Sequence, residues 1–159
     1  MSPTRPRGFT LVELMIVVVI GAILLGIAVP SYMSSIRKTR RSEAKTALLE
    51  LAGREERYLS TNPAGYSTTP ADVGYTAFGT GNPIGTGQYY YVSAVCVTAA
   101  GAAAACAPST LPGPSFLITI LPMAGTSQAA DTQCTSFSVD SGGGQFATGS
   151  LPQASCWQQ

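Results

Sequence analysis

The chain has 159 residues, enough for one domain with an ordinary core and too few for two. It contains no histidine, which removes Ser-His-Asp triads, Cys-His pairs and imidazole metal sites and leaves acid-base work to a few carboxylates. The net charge of +1 conceals an asymmetry: all nine Lys and Arg lie between Arg5 and Arg57, so the first 57 residues set nine bases against five acids and carry +4, and the rest, holding only Asp72, Asp131 and Asp140, carries −3.

Residues 9–36 hold one charged side chain, Glu13, and residues 14–29 are apolar apart from Gly21 and Gly26. About twenty such residues cross a bilayer as a helix. The alternative is a cleaved secretory signal, but the apolar run exceeds the usual ~7 to 15 residues and no small-x-small site follows it. Positive flanks conflict with export of the C-terminal part: Arg5 and Arg7 precede the segment, while Arg37, Lys38, Arg40 and Arg41 follow it. Against that stand four cysteines, Cys96, Cys106, Cys134 and Cys156, which fit two disulfides formed outside the cytoplasm.

Glu13 needs a cation, because an ionised carboxylate in an apolar segment costs on the order of 1 to 3 kcal/mol. No Lys or Arg lies within residues 9–36. Cleavage after Gly8 creates one, since the new amino group of Phe9 sits one helical turn from Glu13.

The run Arg7-Gly8-Phe9-Thr10-Leu11-Val12-Glu13-Leu14, the apolar stretch behind it and Pro30-Ser31-Tyr32 together resemble the type IV prepilin signature. The resemblance implies an eight-residue leader ending at Gly8, removed by a prepilin peptidase that also N-methylates Phe9, an amine that stays cationic. It further implies that Glu13 pairs with the Phe9 amine of a neighbouring subunit during assembly. The family's usual glycine falls where this chain has Ala22, and Gly21 and Gly26 are present instead. Gly21, Gly26 and Pro30 all weaken a helix, so this stretch either melts on assembly, as in related filaments, or kinks at Pro30.

Helical periodicity resumes beyond Pro30 with Ala44, Ala47, Leu48, Leu51, Ala52 and Leu59 on one face, which should cover a sheet. Glu50 and Arg54 form an i to i+4 pair on the opposite side, and the cluster from Arg37 to Arg41 reads as solvated charge, with contacts to headgroups or neighbouring subunits as the alternative. Asn62-Pro63 stops the helix near residue 61, after about fifty residues or ~75 Å. A rod that long needs lipid or further copies of itself to cover its N-terminal half.

Residues 62–88 read as a long ordered loop anchored by Tyr66, Tyr75 and Phe78. Strand patterns follow at 88–97, 115–121 and 135–140, with a fourth at 145–148 after Gly142-Gly143-Gly144. Of the consecutive aromatics Tyr89, Tyr90 and Tyr91, at least one belongs to the core. Residues 99–105 form a low-complexity turn. The expectation is an α+β chain of the type IV pilin fold, with one long helix over about 9–61 packed on a four-stranded antiparallel sheet. Its divisions are a leader at 1–8, a transmembrane and filament-core half at 9–36, and a head at 37–159.

Four cysteines allow three pairings. The resemblance implies a C-terminal loop closed by Cys134 and Cys156, which leaves Cys96 with Cys106. A zinc site is opposed by the lack of histidine and of Cys-x-x-Cys spacing. Asp131 and Asp140 are too few for a calcium cage and read as turn residues. The stretch Ala124-Gly125-Thr126, Gln128, Asp131, Cys134 and Cys156-Trp157 is similar to that of minor pilins with a disulfide-closed C-terminus.

The reading is therefore a structural pilus subunit of the minor-pilin kind, with no catalytic residue, cofactor or metal. Its partners are homologous pilins, the prepilin peptidase and N-methyltransferase, an inner-membrane assembly platform and, before assembly, membrane lipid. It passes from the inner membrane, head in the periplasm, to an extracellular pilus. Alternatives are a major pilin, a secretion pseudopilin, or a filament-tip adhesin or DNA-uptake receptor. A head with no cation after Arg57 argues against nucleic acid.

Overall fold

A computed structural model of the chain describes residues 8–63, 65–98 and 114–158. Residues 1–7 of the expected leader, the expected turn at 99–105 and Cys106, hence the expected Cys96–Cys106 bridge, lie outside the described residues.

Helix α1 spans Leu11–Thr61 and includes Pro30. It begins two residues later than the pattern suggested because Thr10 is its N-cap: the Glu13 amide donates to Thr10 Oγ1 at 3.2 Å, and the Leu14 amide to the Thr10 carbonyl at 3.2 Å. It ends where Asn62 donates back to the Tyr58 carbonyl at 2.9 Å and Pro63 removes the next donor. The chain divides into two compact units, Met1–Ile36 and Arg37–Gln159. In the first, large apolar side chains from Phe9 to Tyr32 are exposed, and the helix is long and apolar enough to cross a membrane.

The second unit holds five strands, β1 (Pro83–Ile84), β2 (Tyr90–Thr98), β3 (Ser115–Pro122), β4 (Ser136–Asp140) and β5 (Gln145–Thr148), in an antiparallel sheet of that order. The fifth strand beyond the four expected is β1, and two residues are too short to show a periodicity. The preceding loop also contains a 3-10 turn, Pro70–Val73, and a short helix α2 (Gln153–Gln158) follows β5.

One face of the sheet joins α1 in the core. Leu48 and Leu51 meet Phe116, Ile118, Ile120 and Phe137, all essentially inaccessible. β2 serves this face only because of a bulge between Val92 and Ala94 that leaves Ser93 out of register. Before it Tyr90 and Val92 are buried; after it Val95 and Val97 stand opposite the core residues Ile118 and Phe116. A strict two-residue alternation would have put Ala94 and Cys96 there instead. Ser93 Oγ donates to the Thr119 carbonyl at 3.1 Å and steadies the bulge.

Cys134 and Cys156 are bridged, with Cα atoms 5.9 Å apart across 22 residues. Closing a loop of that size stabilises by about 3 kcal/mol in the chain-entropy picture. Inside it, Ser150 and Leu151 donate to the carbonyls of Thr132 and Gln133, which brings Gly149 against the backbone. Gly149 has a φ of 142°, and a Cβ there would collide with the Gln133 carbonyl. Gly149→Ala is expected to lower stability by about 2 kcal/mol or more, read as a lower midpoint in thermal denaturation followed by circular dichroism; an unchanged midpoint would show that the loop can move aside.

Candidate functional site

Two places carry chemistry. In the first unit Gly8 and Phe9 precede the helix, both exposed, and Glu13 lies in the first turn. Thr10 at the N-cap and Glu13 three residues on have the spacing of a capping box, a signal that the sequence itself carries. A carboxylate here also faces the positive end of the helix dipole. Gly21, Gly26 and Pro30 all lie within continuous helix in this structure. Thr10→Ala should speed hydrogen exchange of the Glu13 amide by about fivefold, equivalent to ~1 kcal/mol of lost capping, measured by NMR in micelles.

The second place is where α1 holds the loops of the head. Arg41, expected to be solvated, is buried at 1% exposure, with its Nε and Nη2 donating to Asp131 Oδ2 and Oδ1, each at 2.7 Å. Arg41 Nη2 also reaches Gln133 Oε1 at 2.9 Å, and Gln128 Nε2 donates to Asp131 Oδ2 at 2.9 Å and to the Tyr90 hydroxyl at 3.0 Å. Burial pushes the Asp131 carboxyl up. The Arg41 guanidinium and the backbone N–H groups of Gln133 and Cys134 outweigh it and hold the carboxyl below its ordinary value. Asp131 is thus an ion-pair partner, whereas Asp140 does act as a turn residue, accepting from the amides of Gly142 and Gly144.

One turn along, the buried Lys45 Nζ donates to the carbonyls of Cys156 at 3.3 Å and Trp157 at 3.0 Å and so anchors α2. Burial and the neighbouring Arg41 cation lower its pKa. Arg41, Ala44, Lys45 and Leu48 share one helical face, so the position of two cations inside an apolar stripe was a readable sign that they would be buried.

Other α1 charges clasp further loops. Arg40 lies 3.8 Å over the Tyr89 ring and donates to Ser127 Oγ. Glu43 accepts from Thr86 Oγ1 at 2.8 Å and from the Gly87 amide. Arg54 pairs with Glu50 at 2.7 Å, as the spacing indicated, and also reaches the carbonyls of Val73 and Gly74. Glu55, fully buried, accepts from the Ser67 amide at 3.1 Å, and burial raises its pKa against that bond. Among the described residues no group of acids and cysteines could hold a metal ion.

Comparison with known proteins places these features. Residues 30–138 match the family model described as type IV minor pilin ComP, DNA uptake sequence receptor. The chain belongs to this minor pilin family. Residues 4–29 of the pilin match the prokaryotic N-terminal methylation motif, the stretch that contains Gly8, Phe9 and Glu13.

The pilin is similar to the type IV major pilin protein PilA of Myxococcus xanthus (strain DK1622), with 41% identity over 71 residues, 45% of this chain and 32% of the relative. It is 37% identical over 98 residues to the fimbrial protein EcpC of Eikenella corrodens, 60% of this chain and 56% of the relative. It is 38% identical over 65 residues to the type II secretion system core protein G of Klebsiella pneumoniae, 41% of this chain and 46% of the relative. The chain thus spans from about a third to just over half the length of these relatives.

The Arg41–Asp131 pair yields a prediction with a definite sign. Its carboxyl pKa is depressed in the folded state, so its contribution is present above the unfolded value of ~3.9 and is lost as pH falls through the folded one. Arg41→Ala should destabilise the head by about 3 to 5 kcal/mol by leaving a buried charge unpaired. Asp131→Asn should flatten the loss of stability below about pH 4, measured by urea unfolding across pH. Equal pH slopes in the variant and the parent would show that another carboxyl controls acid unfolding.

Proposed function

We propose that this chain is a structural subunit of a type IV pilus, a minor pilin in role, and that it is not an enzyme. The observation that carries the reading is the exposed apolar segment of α1 with one carboxylate, Glu13, a single turn after the Gly8–Phe9 junction. Pilin-family subunits are structural proteins, and the methylation-motif match supports processing by a prepilin peptidase.

On this reading the leader, residues 1–8, is removed and the Phe9 amine is methylated. The subunit waits in the inner membrane with residues 9–36 in lipid and its head, residues 37–159, in the periplasm. An assembly platform then extracts it into an extracellular filament. Glu13 exchanges its helix-end environment for the Phe9 amine of a neighbouring subunit, and the segment containing Gly21, Gly26 and Pro30 loosens or bends as the helices pack. The Cys96–Cys106 bridge belongs to the same proposal.

Glu13→Ala and Glu13→Lys are expected to cut incorporation into sheared filaments at least tenfold, equal to ~1.4 kcal/mol of lost pairing, measured by quantitative immunoblotting beside a membrane-fraction control. The mature chain should begin at methylated Phe9 by intact mass. Normal incorporation of Glu13→Ala, or assembled chains that retain residues 1–8, would overturn the reading.

The family description favours a second role, DNA uptake receptor. The distribution of cations opposes it. Among the described residues, Arg41 and Lys45 are buried, Arg40 and Arg54 are engaged within the head, and Lys38 and Arg57 remain as exposed cations beside a half-buried Arg37. So few free charges support little counterion release.

A further inference from the structure

The C-terminal end of the head holds a cavity of about 240 Å³ lined by Gln145, Gln153, Ala154, Trp157 and Gln158. No lining residue carries a formal charge. We propose that this cavity is a binding site for an uncharged carbohydrate, with one sugar ring seated against Trp157 and its hydroxyls held by the glutamine amides.

Trp157 is held in a fixed orientation. Its Nε1 donates to the Phe146 carbonyl at 3.0 Å, and its ring stands edge-on to the buried Phe137 at 5.7 Å and 89°. The indole N–H is therefore satisfied inside the protein, and what the half-buried ring offers the cavity is apolar and aromatic. Gln153 is partly committed, donating from Nε2 to the Gln145 carbonyl at 2.5 Å. Among the described residues the exposed side-chain amides of Gln145 and Gln158 form no hydrogen bond, so each keeps donors and an acceptor for a ligand.

A sugar ring combines an apolar C–H face with a rim of hydroxyls that both donate and accept, which matches one aromatic ring beside amides. An anion would find no cation in the lining, and a cation would find a single ring and no carboxylate. The walls are also prearranged. The Cys134–Cys156 bridge fixes one end of α2, Lys45 anchors the carbonyls of Cys156 and Trp157, and β5 is paired along β4. Little ordering remains to be done on binding.

Trp157 is the chain's single tryptophan, so its fluorescence reports on this cavity alone. The full chain, in micelles of a detergent without a sugar headgroup, is titrated with methyl glucoside, methyl galactoside and N-acetylglucosamine, and separately with a short single-stranded DNA oligomer. We expect a saturable change in Trp157 emission with at least one sugar, unaltered between low and high NaCl. The double variant Gln145→Ala/Gln158→Ala should weaken that response at least about fivefold, with an unchanged thermal midpoint because neither amide serves the fold. No saturable response to any of the sugars, a response that survives the double variant, or a salt-sensitive response to the DNA alone would each overturn the proposal. Failure here would leave the filament reading intact, since that reading is tested through Glu13.

Discussion

The head is organised around one buried ion pair. Arg41 on the helix and Asp131 on the loop before β4 are both removed from water, and each alone would be intolerable there. Two parallel hydrogen bonds, the Gln133 side chain and the Gln128 amide offset that desolvation, and the geometry admits only one placement of the loop on the helix. Cys134 follows three residues after Asp131, so this placement also positions the disulfide, and through it α2 and Trp157. The neighbouring Lys45 reinforces the same join from the other side by taking the α2 carbonyls.

A broader division of labour follows. The loops and strands of the head contribute very little charge, and α1 supplies it. Glu43 holds the loop at Thr86 and Gly87, Arg40 holds Tyr89 and Ser127, Arg54 holds the 3-10 turn, and Glu55 holds Ser67. The C-terminal side consequently presents a surface of hydroxyls and amides. From residue 58 onward Asp72 is the exposed formal charge among the described residues, because Asp131 and Asp140 are buried. Such a surface recognises partners by shape and hydrogen bonding, with weak dependence on salt.

The first unit obeys a different logic. Its apolar side chains cannot stay exposed in water, since each large one carries an unfavourable transfer free energy of about 1.5 to 3 kcal/mol. Lipid meets that demand in a monomer and other helices meet it in a filament, which makes association a consequence of composition. Glu13, whose amide is capped by Thr10 at the helix start, is the single charged side chain within residues 9–36.

Much of this was legible in the residues themselves. Apolar run length, helical period, strand alternation at β3 to β5 and the Gly8–Glu13 motif depend on local sequence, and local sequence sufficed for the long helix, the antiparallel sheet and the N-terminal methylation motif. Tertiary structure alone decided the rest. β1 is too short to carry a pattern, and the bulge at Ser93 changes which residues of β2 face the core without leaving a mark in composition. Arg41 lies in an apolar stripe that the sequence displays, but its partner Asp131, 90 residues away, is supplied by the fold alone. The cavity beside Trp157 likewise exists only once the disulfide and Lys45 have brought α2 against β5, because its chemistry belongs to residues that no sequence window joins.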